Sequence, residues 1–437
     1  MPQEGATRAP GIVTMKKEIV GIVVGGGPAP GINSVISAAT IEAINEGKQV
    51  VGIVGGFNCL FDGNENAIIP LTIDDVSRVH LRGGSILRTS RGTPDDAKQR
   101  FKVLMSMLKR AKIKYLISIG GEGSLFVAHW IEKEARGSVN VVHVPKTIDN
   151  DVPMPGGLAT FGYQTARHIG VQIVENLMED ARTMGRWYFV TTMGRNAGHL
   201  ALGMGVASGA TATLIPEEFG EEKVKLTKVA DILAGSIIKR LAMGRDHGVA
   251  ILAEGIADRL DPEELVSAQV EKDSMGRVRL SDIPLGRLLR ALVRRTLEEL
   301  GIRITIVDKS TGYEMRAADP IPYDVEYTRN LGYGAVRFLL KGGTGSMIVV
   351  YEGNIKPIPF VEMLEFSDGT IKVRKVDLNS EAYEVARKYM IRLERSDFVK
   401  PQLDELAKVT SLGPEEFKKR FGYLVDRTTT VSYPHPF

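Results

Sequence analysis

The chain has a single cysteine, Cys59, among its 437 residues. One cysteine excludes an intrachain disulfide and a zinc site built from several cysteines. It also fits a reducing cytoplasm, which is the location that we expect. No apolar run approaches the roughly 20 residues that a helix needs to span a bilayer. The formal charge of +3, without any polybasic run, argues against nucleic-acid and membrane partners.

What remains is the composition of an ordinary globular protein, 43% hydrophobic and 25% charged. A chain of this length should fold as two or more lobes. Residues 1–14 lack the long apolar core of a signal peptide, and we expect a disordered tail over residues 1–15. The sequence leaves open whether translation starts at Met1 or at Met15.

Short β-branched segments alternate with helical patterns along most of the chain. The strand-like residues 18–24 end in a loop rich in glycine and proline, and residues 33–46 follow with helical spacing. The same order recurs where residues 115–119 meet the glycine loop 120–124. This rhythm predicts an α/β fold, with parallel sheets covered by helices on both faces.

The second half repeats the rhythm less regularly. Predicted strands are residues 187–192, 212–215 and 248–253, and predicted helices are residues 166–181, 198–207, 225–243 and 284–300. Residues 257–283 are charged and predict a connecting loop or hairpin. Beyond Pro359 the glycine loops disappear, and helices are predicted at 381–393, 401–406 and 414–421. We expect this tail to serve packing or subunit contacts rather than chemistry.

Residues 145–151 combine a cation, a hydroxyl and two carboxylates directly after the apolar strand 141–144. In open α/β sheets, loops at the carboxyl ends of strands carry the chemistry. A carboxylate such as Asp149 can accept a proton there while Lys146 holds a phosphate. A polar turn whose aspartates cap backbone amides is the alternative, and this segment alone does not decide between them.

Two glycine loops follow strands and open helices. The first, residues 25–31, can cradle a phosphate with its amides and the positive end of the next helix, or it is only a tight turn. Its prolines stiffen it and argue against a dinucleotide fingerprint, and no Lys-Ser/Thr pair follows the glycines as in a P-loop. In the second, Glu122 suits Mg²⁺ directly or through water, and Gly123 leaves room for a bulky ligand. Alternatively, Ser124 caps the helix and Glu122 is simply solvated.

Arginines and a further carboxylate also stand near predicted strand ends. Arg195 follows one strand, Glu254 ends another, and Arg316 lies in a glycine-flanked turn beside an aromatic residue. Arginine suits bidentate contacts with phosphate. Together with the glycine loops, these positions predict a cleft for two phosphorylated ligands and a metal. Histidines at predicted buried or helical positions are assigned to packing or the surface: His143, His168 and His199.

This combination resembles the phosphofructokinase family from about residue 16 to about residue 338. The resemblance is carried by five segments: residues 26–33, the glycine loop 120–124, the Thr-Ile-Asp-Asn-Asp loop 147–151, the Met-Gly-Arg turn 193–195 and the Arg-x-x-x-Pro segment 316–320. It implies two Rossmann-like lobes with mostly parallel sheets, an active site in the cleft between them and a helical C-terminal extension.

The resemblance also implies a division of labour. A donor-binding lobe is expected at residues 16–160, completed by about 317–357, and a fructose 6-phosphate lobe at 161–316. The extension is residues 358–437. Family members form dimers and tetramers, in which an arginine like Arg186 reaches a neighbour's active site. A homodimer or homotetramer is therefore expected.

Residue roles follow from the same resemblance. Asp149 matches the aspartate that takes the proton from the 1-hydroxyl of fructose 6-phosphate, with Asp151 close behind and Lys146 adding charge. Glu122 matches an aspartate that handles Mg²⁺ and has a longer arm. Implied substrate contacts are Thr147, Asp149, Arg186, Met193, Gly194, Arg195, Glu254, Tyr313 and Arg316, and implied donor contacts are Gly27, Arg91, Glu122, Gly123 and Ser124. Tyr313 stands where the family usually has histidine, and pyrophosphate-using members resemble this chain in that change.

The donor depends on two positions. Family members that use ATP usually have glycine at the positions of Gly123 and Lys146, and members that use pyrophosphate usually have aspartate and lysine. This chain has a mixed pair. Residues 25–40, 83–91 and 186–202 most resemble bacterial pyrophosphate-dependent enzymes. Because Gly123 leaves space for the α-phosphate of a nucleotide, we nevertheless favour ATP slightly, with pyrophosphate as the alternative. A non-catalytic sugar-phosphate sensor is a remote alternative, since Asp149, Asp151 and Arg195 are all present, and a dehydrogenase lacks its fingerprint.

Overall fold

The computed structural model describes residues 18–90, 97–261, 264, 283–365 and 370–425. Two sheets organise the chain. The strands of the first are β1 (Ile19–Val24), β2 (Gln49–Ile53), β3 (Ile68–Leu71), β4 (Ile113–Gly120), β5 (Asn140–Thr147), β6 (Phe161–Gly162), β11 (Ser346–Tyr351) and β12 (Asn354–Pro359). Their order in the sheet is β12-β11-β5-β4-β1-β2-β3, and β6 pairs with the end of β5. Only β3 and β12, at the two edges, run antiparallel to their neighbours.

The second sheet consists of β7 (Arg186–Thr192), β8 (Ala212–Leu214), β9 (Gly248–Ala253) and β10 (Thr305–Thr311). These four strands are parallel and have the order β10-β7-β9-β8. All six residues of β9 are buried, which suits a central strand covered on both faces. The mixed α/β architecture with mostly parallel sheets, predicted from the strand–loop–helix rhythm, is confirmed.

Helices cover both faces of each sheet. Numbered along the chain, they are α1 (Ile32–Asn45), α2 (Phe57–Phe61), α3 (Ile73–Val76), α4 (Ala97–Arg110), α5 (Glu122–Ala135), α6 (Tyr163–Met184), α7 (His199–Ser208), α8 (Leu226–Ala242), α9 (Leu285–Glu299), α10 (Tyr313–Arg316), α11 (Pro322–Leu340), α12 (Glu381–Lys388), α13 (Gln402–Lys408) and α14 (Pro414–Phe421). On the first sheet, α1 and α11 share one core, and α4 and α5 share another. On the second, α6 and α7 pack on one face, and α8 and α9 on the other. Among the described helices, none is long and apolar enough to cross a membrane.

The C-terminal extension runs over both halves of the molecule. Phe360 and Ile371 pack into the core of the first sheet, whereas Val376 joins the core beside α6 and α7. Farther on, α13 and α14 pack against α8 and α9. There, Asp231 of α8, only 3% exposed, accepts two hydrogen bonds from Arg420, at 2.6 and 2.8 Å. The helical C-terminal region is confirmed, and it is fastened to the second sheet.

Two predictions about local structure need comment. The helix predicted at residues 381–393 ends at Lys388, because the chain then extends and the Ile391 amide donates to the Thr211 carbonyl at 2.8 Å. Most of the predicted connecting loop at 257–283 lies outside the described residues, as does the predicted tail at 1–15. The functional division between donor and sugar-phosphate lobes stays a prediction.

Candidate active site

The carboxyl ends of strands from both sheets meet at a cleft of about 980 Å³. β4 and β5 contribute from the first sheet, and β7, β9 and β10 from the second. This is the edge at which open parallel sheets bind ligands. The predicted site residues that line the cleft are Gly27, Glu122, Gly123, Ser124, Lys146, Thr147, Asp149, Asp151, Met193, Arg195, Glu254, Tyr313 and Arg316. The structure therefore brings together residues that are up to about 290 positions apart.

Three predicted site residues remain, of which the structure describes two. Arg186 begins β7, at the opposite end of the strand from Met193, and forms an ion pair with Asp180 at 3.5 Å. Seven residues of strand span roughly 20 Å, so Arg186 lies far from the cleft of its own chain, which agrees with an arginine that acts on a neighbour's active site. Its predicted contact with a neighbouring subunit stays a prediction. Gly194, with φ of 130°, shapes the turn before Arg195, and Arg91 lies outside the described residues.

The loop after β5 holds two aspartates close to each other. The Asp149 amide donates to the Thr147 hydroxyl at 3.0 Å, and that hydroxyl in turn bonds the carboxylate of Asp151. Asn150 between them is left-handed, with φ of 58°, a conformation that asparagine tolerates better than most residues. Its side-chain oxygen accepts the Thr160 amide at 3.0 Å. The sharp turn at Asn150 is thus fixed by hydrogen bonds on both sides.

Asp149 is a strongly perturbed carboxyl group of the cleft. Burial, followed by the charges of Asp151 and Glu254, raises its pKa to about 7. The Arg195 amide and the Lys146 ammonium act in the opposite direction and do not cancel this effect. Burial raises the pKa of Asp151 as well. A carboxyl group that titrates near neutral pH can accept a proton in one direction of a reaction and return it in the other.

Glu122, the first residue of α5, faces the same cleft. Burial and the charge of Asp151 raise its pKa, while Arg195 lowers it. No group of three or more His, Cys, Asp or Glu side chains that could cage a metal occurs in the described part of the chain. Mg²⁺ does not need such a cage, because it typically binds one or two carboxylates together with phosphate oxygens and water. Two carboxylates whose charges act on each other across a cleft fit that ion.

The two glycine loops pack directly on each other through Ser124. A Cβ atom placed on Gly25 or on Gly120 would lie 2.3 or 2.2 Å from the Ser124 hydroxyl oxygen. Gly121 is the N-cap residue of α5, and no side chain caps this helix. The alternative reading of Ser124 as a helix cap is therefore wrong. The Ser124 side chain instead occupies the space beside Gly25 and Gly120, where the two loops meet.

Lys146 and Gly123 differ in their surroundings. Lys146 is 3% exposed, and its ammonium group donates to the carbonyl of Gly27, a residue of the first glycine loop. A Cβ atom placed on Gly123 meets no atom within 4 Å. Gly123 thus borders open space in the cleft, whereas the cation of Lys146 is held at the cleft wall.

Cations at the other side of the cleft come from the second sheet. The Arg195 turn lies directly against Gly255, where a Cβ atom would be only 2.3 Å from the Arg195 carbonyl oxygen. The Arg316 guanidinium stacks over the ring of Tyr313, 4.7 Å from its centroid. Tyr313 itself is 68% exposed. The cleft therefore has carboxylates mainly on the first-sheet side and arginines on the second-sheet side.

Three contacts of the site were not foreseen or were assigned elsewhere. Asn196 donates to the Asp151 carboxylate at 3.4 Å, and its position next to Arg195 was the available signal. His143 is fully buried, as predicted, and its Nε2 lies 2.9 Å from the Gly120 carbonyl, which supports the second glycine loop. Arg374 of the C-terminal extension bonds the backbone of Asn150. The extension therefore packs against the loop that carries Asp149, and whether it serves packing or subunit contacts rather than chemistry stays a prediction.

Comparisons with known proteins agree with this site. The sequence profile described as Phosphofructokinase matches residues 19–339. A pyrophosphate–fructose 6-phosphate 1-phosphotransferase of Thermotoga maritima is 53% identical over 94% of this chain and 99% of its own length. The protein of that name from Naegleria fowleri is 44% identical over 95% and 98%. An ATP-dependent 6-phosphofructokinase of Mycobacterium bovis is 32% identical over 78% and 93%.

Solved structures share the fold. A pyrophosphate-dependent phosphofructokinase from Nitrosospira multiformis has a TM-score of 0.65 at 16% identity, over 86% of this chain and 90% of its own. A phosphofructokinase from Pichia pastoris in the T-state has a TM-score of 0.64 at 23% identity, over 81% and 36%. The profile match and the long sequence alignments establish what the motifs indicated. The chain is an enzyme that belongs to the phosphofructokinase family.

Proposed function

We propose that this enzyme transfers a phosphoryl group from pyrophosphate to the 1-hydroxyl of fructose 6-phosphate, giving fructose 1,6-bisphosphate and phosphate. The observation that carries this proposal is Asp149, a carboxyl group with a pKa of about 7 in a cleft that Lys146, Arg195 and Arg316 also line. A base poised near neutral pH suits a reaction that runs in both directions. Phosphoryl transfer otherwise depends on positioning and on charge around the transferred group.

In this proposal, Asp149 takes the proton of the sugar hydroxyl, and Thr147 orients the loop that carries it. Arg195 and Lys146 stabilise the charge of the transferring phosphoryl group from opposite sides of the cleft. Glu122, with Asp151 nearby, would hold Mg²⁺ against the phosphate oxygens of the donor, and the ion would neutralise part of their charge. Glu254, Tyr313 and Arg316 would bind the sugar phosphate.

Pyrophosphate replaces the ATP that the sequence alone slightly favoured. Two relatives that align with 94% and 95% of this chain are named for pyrophosphate, whereas the ATP-dependent relative of Mycobacterium bovis covers only 78%. The open space at Gly123 admits a nucleotide but does not demand one. Lys146, held in the cleft wall, supplies the cation expected of a pyrophosphate enzyme. ATP remains a second candidate because of the space at Gly123.

A coupled assay with pyrophosphate, ATP and ADP as donors tests the proposal directly. We expect a kcat/KM for pyrophosphate at least about tenfold above that for ATP, a difference of roughly 1.4 kcal/mol in transition-state free energy. Activity with ATP alone would refute the donor. Asp149→Ala should lose turnover and still bind fructose 6-phosphate, and unchanged turnover would refute the role of the base. The predicted homodimer or homotetramer, and the cytoplasmic location, remain part of the proposal.

A further inference from the structure

Arg374 lies in the C-terminal extension and contacts the loop that carries Asp149. Its Nε donates to the Asn150 carbonyl at 3.0 Å, and its Nη1 donates to the Leu158 carbonyl at 2.6 Å. Its Nη2 donates to the Asn150 side-chain oxygen. The backbone amide of Arg374 also donates to the Asp151 carbonyl at 2.7 Å. One residue thus holds the loop by four hydrogen bonds, three of them from a single guanidinium group.

The same residue is tied to the opposite side of the cleft. The carbonyl of Arg374 accepts a hydrogen bond from Nε2 of His199 at 3.1 Å. His199 is the first residue of α7, directly after the turn that carries Arg195 and Asn196. Burial and the Arg374 charge lower the pKa of His199 to about 4, which keeps the ring neutral. Arg374 therefore connects the loop of the base, from the first sheet, with the arginine turn of the second sheet.

The held loop contains the left-handed turn at Asn150. A non-glycine residue in this conformation persists when its surroundings fix it. The guanidinium of Arg374 binds both the carbonyl and the side chain of Asn150, on the same residue whose turn brings Asp149 and Asp151 together. Arg374 is not one of the residues that line the cleft, so it acts on the loop from behind.

We propose that Arg374 is a positioning residue that fixes Asp149 and Asp151 for phosphoryl transfer, so that the C-terminal extension is part of the catalytic apparatus. Arginine is suited to this task, because its planar fork reaches several acceptors at fixed angles. Lysine can keep the charge but not the three-acceptor geometry. The inference rests on the proposed function only in taking Asp149 as the base, and it holds for either donor.

The test compares Arg374→Met and Arg374→Lys with Lys375→Met. Lys375 is the adjacent residue, 47% exposed at its side chain, and its ion pair with Glu221 is at the surface. We expect Arg374→Met to lower kcat roughly 10–100-fold, the usual effect of losing a supporting partner, with KM for fructose 6-phosphate changed less than about threefold. Arg374→Lys should have a kcat between those of Arg374→Met and the unchanged enzyme. Guanidinium added to the assay should raise the kcat of Arg374→Met. Lys375→Met should have the kcat and KM of the unchanged enzyme.

The possible outcomes separate this inference from the proposed function. Absence of turnover by the unchanged enzyme with any donor would refute the proposed function. Turnover by Arg374→Met or Arg374→Lys at the unchanged rate would refute the inference alone. A purely structural role would lower the melting temperature and leave kcat per folded molecule unchanged, which would also refute it. If Arg374→Met does not fold, Arg374→Lys and Asn150→Gly replace it in the test. Asn150→Gly keeps the left-handed turn and removes the side-chain acceptor of Arg374. Each variant should lower kcat more than it changes KM, and an unchanged kcat would refute the inference.

Discussion

Replacing Asp149 by asparagine should stabilise the protein at alkaline pH while it abolishes turnover. In the unfolded chain an aspartate titrates near 3.8, whereas the folded protein raises the pKa of Asp149 to about 7. The folded state therefore binds Asp149's proton more tightly than the unfolded state does. A group of this kind contributes stability fully below the unfolded pKa and loses that contribution as pH rises through the folded pKa.

The magnitude follows from the size of the shift. Three pKa units correspond to about 4 kcal/mol, at roughly 1.4 kcal/mol for each unit. Asp149 is partly exposed to the cleft and shares its titration with Asp151, so we expect about half of that, ~2 kcal/mol, in the free energy of unfolding. For a chain of this size, ~2 kcal/mol corresponds to a melting-temperature change of roughly 2–4 °C. Asparagine can still accept the Arg195 amide and nearly matches the shape of aspartate.

Thermal unfolding of both proteins near pH 5 and near pH 8, without Mg²⁺ or phosphates, provides the measurement. The gain from Asp149→Asn should be near its full size at pH 8 and clearly smaller at pH 5, because the loss in the unchanged protein develops between about pH 4 and pH 7. Asp74→Asn, at an exposed position outside the cleft, is the matched control and should show little change at either pH. An equal gain at both pH values, or a loss at pH 8, would show that ionised Asp149 is not the cause.

Three further predictions concern the donor, the pH profile and the extension. Gly123→Asp should lower kcat/KM for ATP strongly and spare pyrophosphate, because the added carboxylate enters open space and repels a nucleotide's α-phosphate. Gly123→Asn adds a side chain of similar size without the charge and so separates the two effects. An unchanged ratio of kcat/KM for ATP to kcat/KM for pyrophosphate would refute the steric argument. The forward kcat should fall as pH drops below about 7, because Asp149 must be ionised to act as base, and the reverse kcat should fall above about 7; parallel profiles for both directions would contradict that role. Arg420→Met should lower the free energy of unfolding, measured by urea titration, by about 1–2 kcal/mol, because Asp231 keeps its hydrogen bond from Tyr423 but loses its bidentate partner. Lys419→Met, at a neighbouring exposed position, is the control and should leave the free energy of unfolding nearly unchanged.

Much of the cleft could be predicted because its residues follow local rules. Glu122, Asp149 and Arg195 each come directly after a strand, and strand ends with glycine loops can be recognised from short segments. Parallel pairing then brings these loops to one edge, whatever their separation along the chain. The strand–helix order therefore indicated the fold and most of the site together.

What escaped prediction depends on contacts between distant segments. Arg374 lies over 200 positions from Asn150, in a segment without glycine loops. No pattern in the neighbouring sequence indicates that Arg374 contacts Asn150. The phosphoryl donor was difficult to predict for another reason. Gly123 favours ATP and Lys146 favours pyrophosphate, and space for a nucleotide at Gly123 does not imply affinity for one.

The strand order of the first sheet has a consequence for the synthesis of the chain. β11 pairs with β5, yet about 200 residues separate the end of one from the start of the other. At roughly 5–20 residues per second, the ribosome needs about 10–40 s to deliver β11, and during that time much of one edge of β5 lacks its partner. The second sheet, contiguous from β7 to β10, emerges complete in the interval. We expect the second sheet to fold first and the first sheet to be completed last. Pulse proteolysis of ribosome-bound chains that end before β11 tests this order. Protection of β5 from cleavage in such chains would contradict it.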